Sequence, residues 1–492
     1  MGKPLTIGWA QTDITPDRPV YVIGQLFTRF SSYVHDPLTA TCLVIENEDD
    51  QVTFVSLDMA SVPTAQIPRI IDRLAIDGLD PDKVCFCVTH THNATQFTAE
   101  TTRTRYFEAY LGTDRCPDRR ILEPDDILKD EEAEEFLITR IVDLITDAWQ
   151  QRAPGGISYG QDYAAVAFNR RPQFRKDDGT RESRMYGACH VPSFTGLEGS
   201  SDHSALMLYT WDLDRQLTGI LVNIPCPAQV CELQDFITAD YWNDARAEIR
   251  NVFGQVFVLP LCGAAGDQNP LDLIRLSRHN EETLRIWNSQ QKAVHRNLDM
   301  TRECAAIGRR IADAVSRVFD TARNQIDTRP VFKHERIELS VPIRRVTEEM
   351  YGEAKQIVED AKEAHGPDNR LTEPEMIRLF EPIGVVNRWA LQQSKETFDF
   401  PVFLIRIGQA AFATNPFELF CEYGFRIRAR SNAEQTFIVQ LSSNATGSYL
   451  PTEAAVAGGS YGAKPVSSLV GPDGGDTLVE ATVTGLNKLF GG

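Results

Sequence analysis

The stretch KVCFCVTHTH, residues 83–92, runs from an alternation of apolar residues and cysteines directly into two histidines. Val84, Phe86 and Val88 with Cys85 and Cys87 between them make the pattern of a buried strand. The strand ends at the histidines, and the ends of α/β strands are where ligand sites commonly form. Upstream, IPRIIDRLAIDGL (67–79) has apolar residues at helical spacing. Before it, TATCLVIE and QVTFVSLD flank the polar NEDD, which predicts two strands paired as a hairpin. Residues 39–92 therefore read as a hairpin leading into a strand–helix–strand unit that delivers His90 and His92.

Outward from this unit, the alternation of strands and helices continues. Residues 131–151 form a strongly amphipathic helix with acidic residues in its first turn. Residues 169–201 are rich in Arg, Gly, Ser and Pro and too long for a simple connector, so they read as an active-site loop or an insertion. ALMLYTWD, TGILVNIP and QVFVLPLCG read as strands, with the helix ADYWNDARAEIRNVF between the last two. Two charged helical insertions, about 275–321 and 347–395, are expected to form a cap beside the core. The tail returns to strands at PVFLIRIGQAAFAT and TFIVQLSS, passes through a Gly-rich loop at 457–475 and closes on an amphipathic helix. The expected fold class is α/β, with mixed β-sheets flanked by helices in a single domain, 1–492.

Composition excludes some functions. Fifty Lys and Arg against 69 Asp and Glu give a net charge of −19, which repels polyphosphates and anionic headgroups, so no nucleic-acid partner is expected. No stretch has the length of an apolar membrane span and the N-terminus shows no secretory pattern, so the expectation is a cytoplasmic protein without membrane insertion. MGKPLT superficially fits a myristoylation signal, which carries weight only in a eukaryote. Ten cysteines lie without paired zinc-ribbon spacing, and most are expected to be reduced thiols acting as small apolar residues. The oligomeric state is not legible.

Four stretches carry chemistry. If the strand continued, His90 and His92 would share a face and reach one metal or one substrate; alone, the pair is equally well a hydrogen-bonded turn. GAAGDQNP (263–270) follows a strand and places Asp267 at its mouth, as a ligand-orienting group or as the cap of a tight turn. TNPFELF sets Glu418 at a strand-to-helix junction, where the helix dipole alone explains a glutamate. TGSYLPTEAAVAGGSY holds Tyr449 and Tyr461, each equally well a packing residue.

Taken together, the order DITP, HDPL, THTH, NRR, GDQNP, NPFE and SYLPTEAA…GGSY resembles the catalytic domain of the neutral, non-lysosomal ceramidases and their bacterial relatives. The resemblance implies zinc, held by His90, Cys226, Glu418 and Tyr449, and substrate contacts from His92, Arg170 and Tyr461. Asp267 would orient a ligand or support its loop. Two positions depart from the family. VNIPCPAQV puts Cys226 where the family has its second zinc-binding histidine, and Asn269 stands where ceramidases carry a serine. A thiolate is a softer, more electron-donating zinc ligand than imidazole, whereas a serine-dependent step cannot be carried over.

These residues imply a metal-dependent hydrolase of an amide, ester or related bond in a small soluble substrate, with membrane ceramide disfavoured by the acidic chain. A carbohydrate-active metalloenzyme, hydrolase or lyase, is the alternative within enzymes. A metal-free binding protein on the same fold is the alternative outside them.

Overall fold

In a computed structural model the described residues are 2–25, 29–96, 124–277, 285–287, 293–295, 301–364, 373–445 and 447–491. The predicted hairpin and strand–helix–strand unit form one edge of an eight-stranded sheet. Its spatial order is Phe257–Cys262, Leu217–Ile224, Ser204–Asp212, Ala153–Tyr163, Leu5–Asp13, Thr39–Glu46, Gln51–Leu57, Val84–Val88. Neighbours are antiparallel except at the two edges, where Leu57 pairs with Val88 and Ile224 with Cys262 in parallel ladders. Each parallel pair is bridged by a helix, Ile67–Arg73 or Tyr241–Phe253, as parallel pairing requires.

The sheet coils until its edges meet. Ser56 Oγ, beside one edge, donates to Pro260 O on the other at 2.6 Å. The turns leaving both parallel pairs thereby converge, and Ala228 N–H donates to Thr89 O at 3.2 Å.

A second sheet of four strands, Phe332–Pro342, Thr397–Ile407, Ala410–Thr414 and Gln435–Val439, packs on the first. Side chains of both, among them Phe54, Leu208, Leu259, Phe403, Phe412 and Phe437, share one dry core. Helices cover the outer faces: Ile67–Arg73, Asp130–Gln150, Tyr241–Phe253 and Thr301–Arg323 on the large sheet, Cys421–Arg430 and Pro472–Leu489 on the small one. The protein is thus an α/β fold of mixed sheets flanked by helices, as the alternating pattern implied. No helix among the described residues is long and apolar enough to cross a membrane.

The two expected cap segments differ from each other. In the first, helix Thr301–Arg323 buries Cys304, Ile307, Ile311 and Val315 in the core of the large sheet, so it is a layer of the main body. In the second, helices Glu348–Ala364 and Glu373–Leu391 pair through Val358, Met376, Leu379 and Ile383. This hairpin rests on the loop that carries Tyr461: Arg388 donates to Ser468 O at 3.0 Å, and a Cβ on Gly384 would lie 2.0 Å from Val466 Cγ2.

Candidate active site

The strand carrying THTH stops at Val88. His90 then takes a left-handed backbone, φ 60°, an uncommon conformation for a residue with a Cβ. The two histidines therefore meet through a turn, and the expectation that a continuing strand would align them is corrected. Their rings stand at 89° with centroids 4.9 Å apart, and the two Nε2 atoms are 3.4 Å apart.

His90 Nδ1 binds Ala60 O at 2.5 Å, so that nitrogen carries a proton, and Nε2 lies 3.4 Å from Glu418 Oε2. Burial pulls the His90 pKa down, but the Glu418 carboxylate and the Ala60 carbonyl outweigh it and the net shift is upward. His92 goes the other way, lowered by burial although Glu232 Oε2 lies 3.4 Å from its Nδ1.

Glu418 and Tyr449 come together through a two-residue parallel bridge in which they are register partners. Gly266 allows the 263–270 turn to lie on this bridge, since a Cβ there would sit 2.3 Å from Glu418 O. Burial pushes the Glu418 pKa up, yet His90, Arg170 and the Tyr449 hydroxyl hold it below the usual carboxylate range. Arg170 Nη2 donates to Tyr449 OH at 2.9 Å and to Gly266 O at 3.1 Å. Tyr461 packs edge-on against the Tyr449 ring at 5.3 Å.

The neighbours of Arg170 in NRR set the frame. Asn169 Nδ2 donates to Asp267 Oδ2 at 3.0 Å. Arg171, fully buried, pairs with Glu198 at 2.6 Å and donates to the carbonyls of Ala455, Gly459 and Tyr461, fixing the Gly-rich loop. Asp267 Oδ1 accepts from Cys421 N–H at 2.9 Å. Both carboxylate oxygens of Asp267 are therefore engaged inside the scaffold, and the residue supports its loop.

Cys226 lies on the loop whose Ala228 N–H reaches Thr89 O. Its thiol faces Val166 O at 3.8 Å and Pro227 O at 3.6 Å and packs within the core of the large sheet. Among the described residues its sulfur does not join His90 and Glu418 in a set of donors mutually within 4.8 Å. The thiol is drawn to backbone carbonyls of its own layer.

Three residues that the motifs did not single out complete the wall. Glu232 faces His92. Tyr186 OH accepts from Asn269 Nδ2 at 2.7 Å and Gln229 Nε2 at 3.2 Å, and also meets Arg170. A carboxylate and an amide just beyond the strand that leads to Cys226 were the available signal for Glu232 and Gln229. Tyr186 sits in the long 169–201 segment, which is folded into short strands around the site.

No protein-family model matches the chain, and no curated protein matches it. Among solved structures it is similar to neutral ceramidase from Pseudomonas aeruginosa, with a TM-score of 0.63 and 17% identity over 98% of this chain and 74% of that one. A ceramidase complexed with C2 gives a TM-score of 0.63 and 16% identity over the same shares. The fold is that of neutral ceramidase. At this identity the likeness is one of fold, and the neutral ceramidase fold is what brings residues 90, 170, 418, 449 and 461 to one place.

Proposed function

We propose that the protein is a metal-dependent hydrolase acting on an amide, ester or related bond of a small polar substrate. The observation that carries this reading is the meeting of His90, Glu418 and Tyr449, distant in sequence, with Arg170 and His92 around them. One nitrogen and two oxygen donors suit a zinc-class cation, and the Ala60 bond sets His90 in the tautomer that ligation needs. When bound there, the cation would supply Lewis acidity and lower the pKa of water.

The chain's own residues supply the rest. Arg170, always charged, offers its remaining donor capacity to a substrate oxygen. His92, oriented by Glu232, is the group to accept a proton and return it to the leaving atom. The Tyr461 hydroxyl would donate to developing negative charge. Asn269 is held by Tyr186 and supplies no nucleophile.

The wall formed by Tyr186, Gln229, Asn269 and Glu232 is polar, which favours a soluble substrate over a membrane lipid. The same observation supports the second reading, a carbohydrate-active metalloenzyme. The test is metal analysis of purified protein, followed by turnover of amide, ester, lactone and glycoside panels with and without chelator. Chelation should abolish hydrolysis, and Glu418→Gln should lower metal affinity at least about tenfold, whereas Cys226→Ser should keep the metal. Metal-free protein with no turnover would leave a binding protein on this fold.

A further inference from the structure

A second group of donors lies behind the active-site wall. Cys231, Asp240 and Cys304 are 1%, 1% and 3% exposed, and one donor atom from each lies within 4.8 Å of the other two. Among the described residues it is the one set of three His, Cys, Asp or Glu that closes to this distance. From these we infer a structural site for a thiophilic divalent cation of the zinc class, held by Cys231 Sγ, Cys304 Sγ and an Asp240 carboxylate oxygen. It goes beyond the proposed activity and stands without it.

The geometry supports this. Zinc–sulfur bonds of about 2.3 Å at a tetrahedral angle put two thiolates roughly 3.8 Å apart. Cys231 Sγ and Cys304 Sγ are 3.7 Å apart, across 73 residues of chain.

The third donor is held in place by bonds of its own. Asp240 Oδ2 accepts from Cys231 N–H at 2.7 Å and Oδ1 from Tyr241 N–H at 2.9 Å, bonds that orient a ligand while leaving lone pairs free. Asp240 does this from a backbone of φ 57°, ψ −147°, a region essentially reserved for glycine. Such strain persists only where the surroundings enforce it.

Electrostatics point the same way. The hydrogen bond between the two sulfurs favours the Cys231 thiolate and raises the Cys304 thiol, burial and the nearby Asp240 carboxylate then push both thiols upward, and burial with Asp36 raises the carboxyl of Asp240. A divalent cation removes that conflict by taking thiolates and carboxylate together. The consequence is architectural. The cation would tie the loop bearing Gln229 and Glu232 to helix Thr301–Arg323, fixing the wall that orients His92.

Cobalt tests the assignment, because thiolate-to-cobalt charge transfer reports sulfur ligation and histidine or oxygen ligation does not produce it. The reduced, metal-stripped full chain carrying Cys226→Ser excludes the thiol that the family resemblance sets among the active-site ligands. Cobalt is expected to give the thiolate band in this protein, zinc to displace it, and a further Cys231→Ser or Cys304→Ser change to weaken binding at least tenfold. Loss of the band in folded Cys226→Ser protein, or its survival when both Cys231 and Cys304 are serine, would overturn the site. Should the serine variants not fold, peptide mapping of alkylation in mild urea replaces them. Zinc should then slow modification of Cys231 and Cys304 together in the Cys226→Ser protein; equal rates with and without zinc would overturn the proposal. So would a Cys231–Cys304 disulfide in protein purified without reductant. None of these readouts depends on turnover, so failure of the hydrolase reading leaves them intact.

Discussion

His92 owes its chemistry to a residue 140 positions further along the chain rather than to its own motif: Glu232 stands 3.4 Å from its Nδ1. Burial lowers the His92 pKa and Glu232 opposes that, so Glu232→Gln should lower it further. If neutral His92 accepts the proton, the acid limb of kcat/KM then moves to lower pH, while a weaker base cuts the rate at neutral pH about tenfold. A pH–rate profile with an unmoved limb would remove Glu232 from the mechanism. The motif strings made His90, Arg170, Glu418, Tyr449 and Tyr461 legible, because each sits in a recognisable junction. Glu232 and Tyr186 were not legible, since CELQD and RMYG have no meaning until their loops fold against the histidine turn. Cys226 shows the converse, a motif position whose side chain the packing turns toward backbone carbonyls.

Elements were legible where their periodicity was clean. The hairpin at residues 39–57 is observed as read, because β-branched runs bounded by polar turns admit few alternatives, whereas the strand read through to His92 ends at Val88, before the histidine turn. Helix Thr301–Arg323 was read into a cap because of its charges, although its buried Cys304, Ile307, Ile311 and Val315 already repeat at helical spacing. What the pattern could not show is the pairing between elements. Arg246, on helix Tyr241–Phe253, forms a two-pronged pair with Asp58 at 2.7 and 3.0 Å, fully buried just past the end of strand Gln51–Leu57. Asp58 Oδ2 also accepts from Thr39 N–H at 2.8 Å, so the ion pair joins the two ends of the coiled sheet. Arg246→Ala leaves a buried carboxylate without its partner, and urea unfolding should show a loss of about 3–5 kcal/mol. A loss near that of an exposed pair, below about 1 kcal/mol, would contradict this role.

At the scale of the whole molecule, the two sheets are joined at a point that responds to pH. His334, on strand Phe332–Pro342 of the small sheet, donates its backbone N–H to Asp50 Oδ2 at 2.6 Å. Its Nδ1 binds Gln51 O at 2.9 Å, across the turn of the large sheet. The ring is 3% exposed and stands edge-on to Phe403. Burial, helped by Lys83, lowers its pKa to about 4 against the opposing pull of Gln51 O and Asp50. The unfolded chain takes up this proton near pH ~6.5, so it binds more protons than the folded state between about 6.5 and 4. Stability from a neutral His334 is therefore complete above that window and is lost as pH falls through it. Asp36 contributes the opposite slope, since burial raises its carboxyl to about 6 and the folded state holds that proton first. The comparison must accordingly be made between proteins. His334→Gln keeps a donor for Gln51 O and removes the titrating group. Between pH 7 and 4.5 the wild-type protein should lose about 2.5 kcal/mol more than the variant in urea unfolding. Parallel losses would mean that the sheet junction tolerates a charged His334, and that acid instability begins elsewhere.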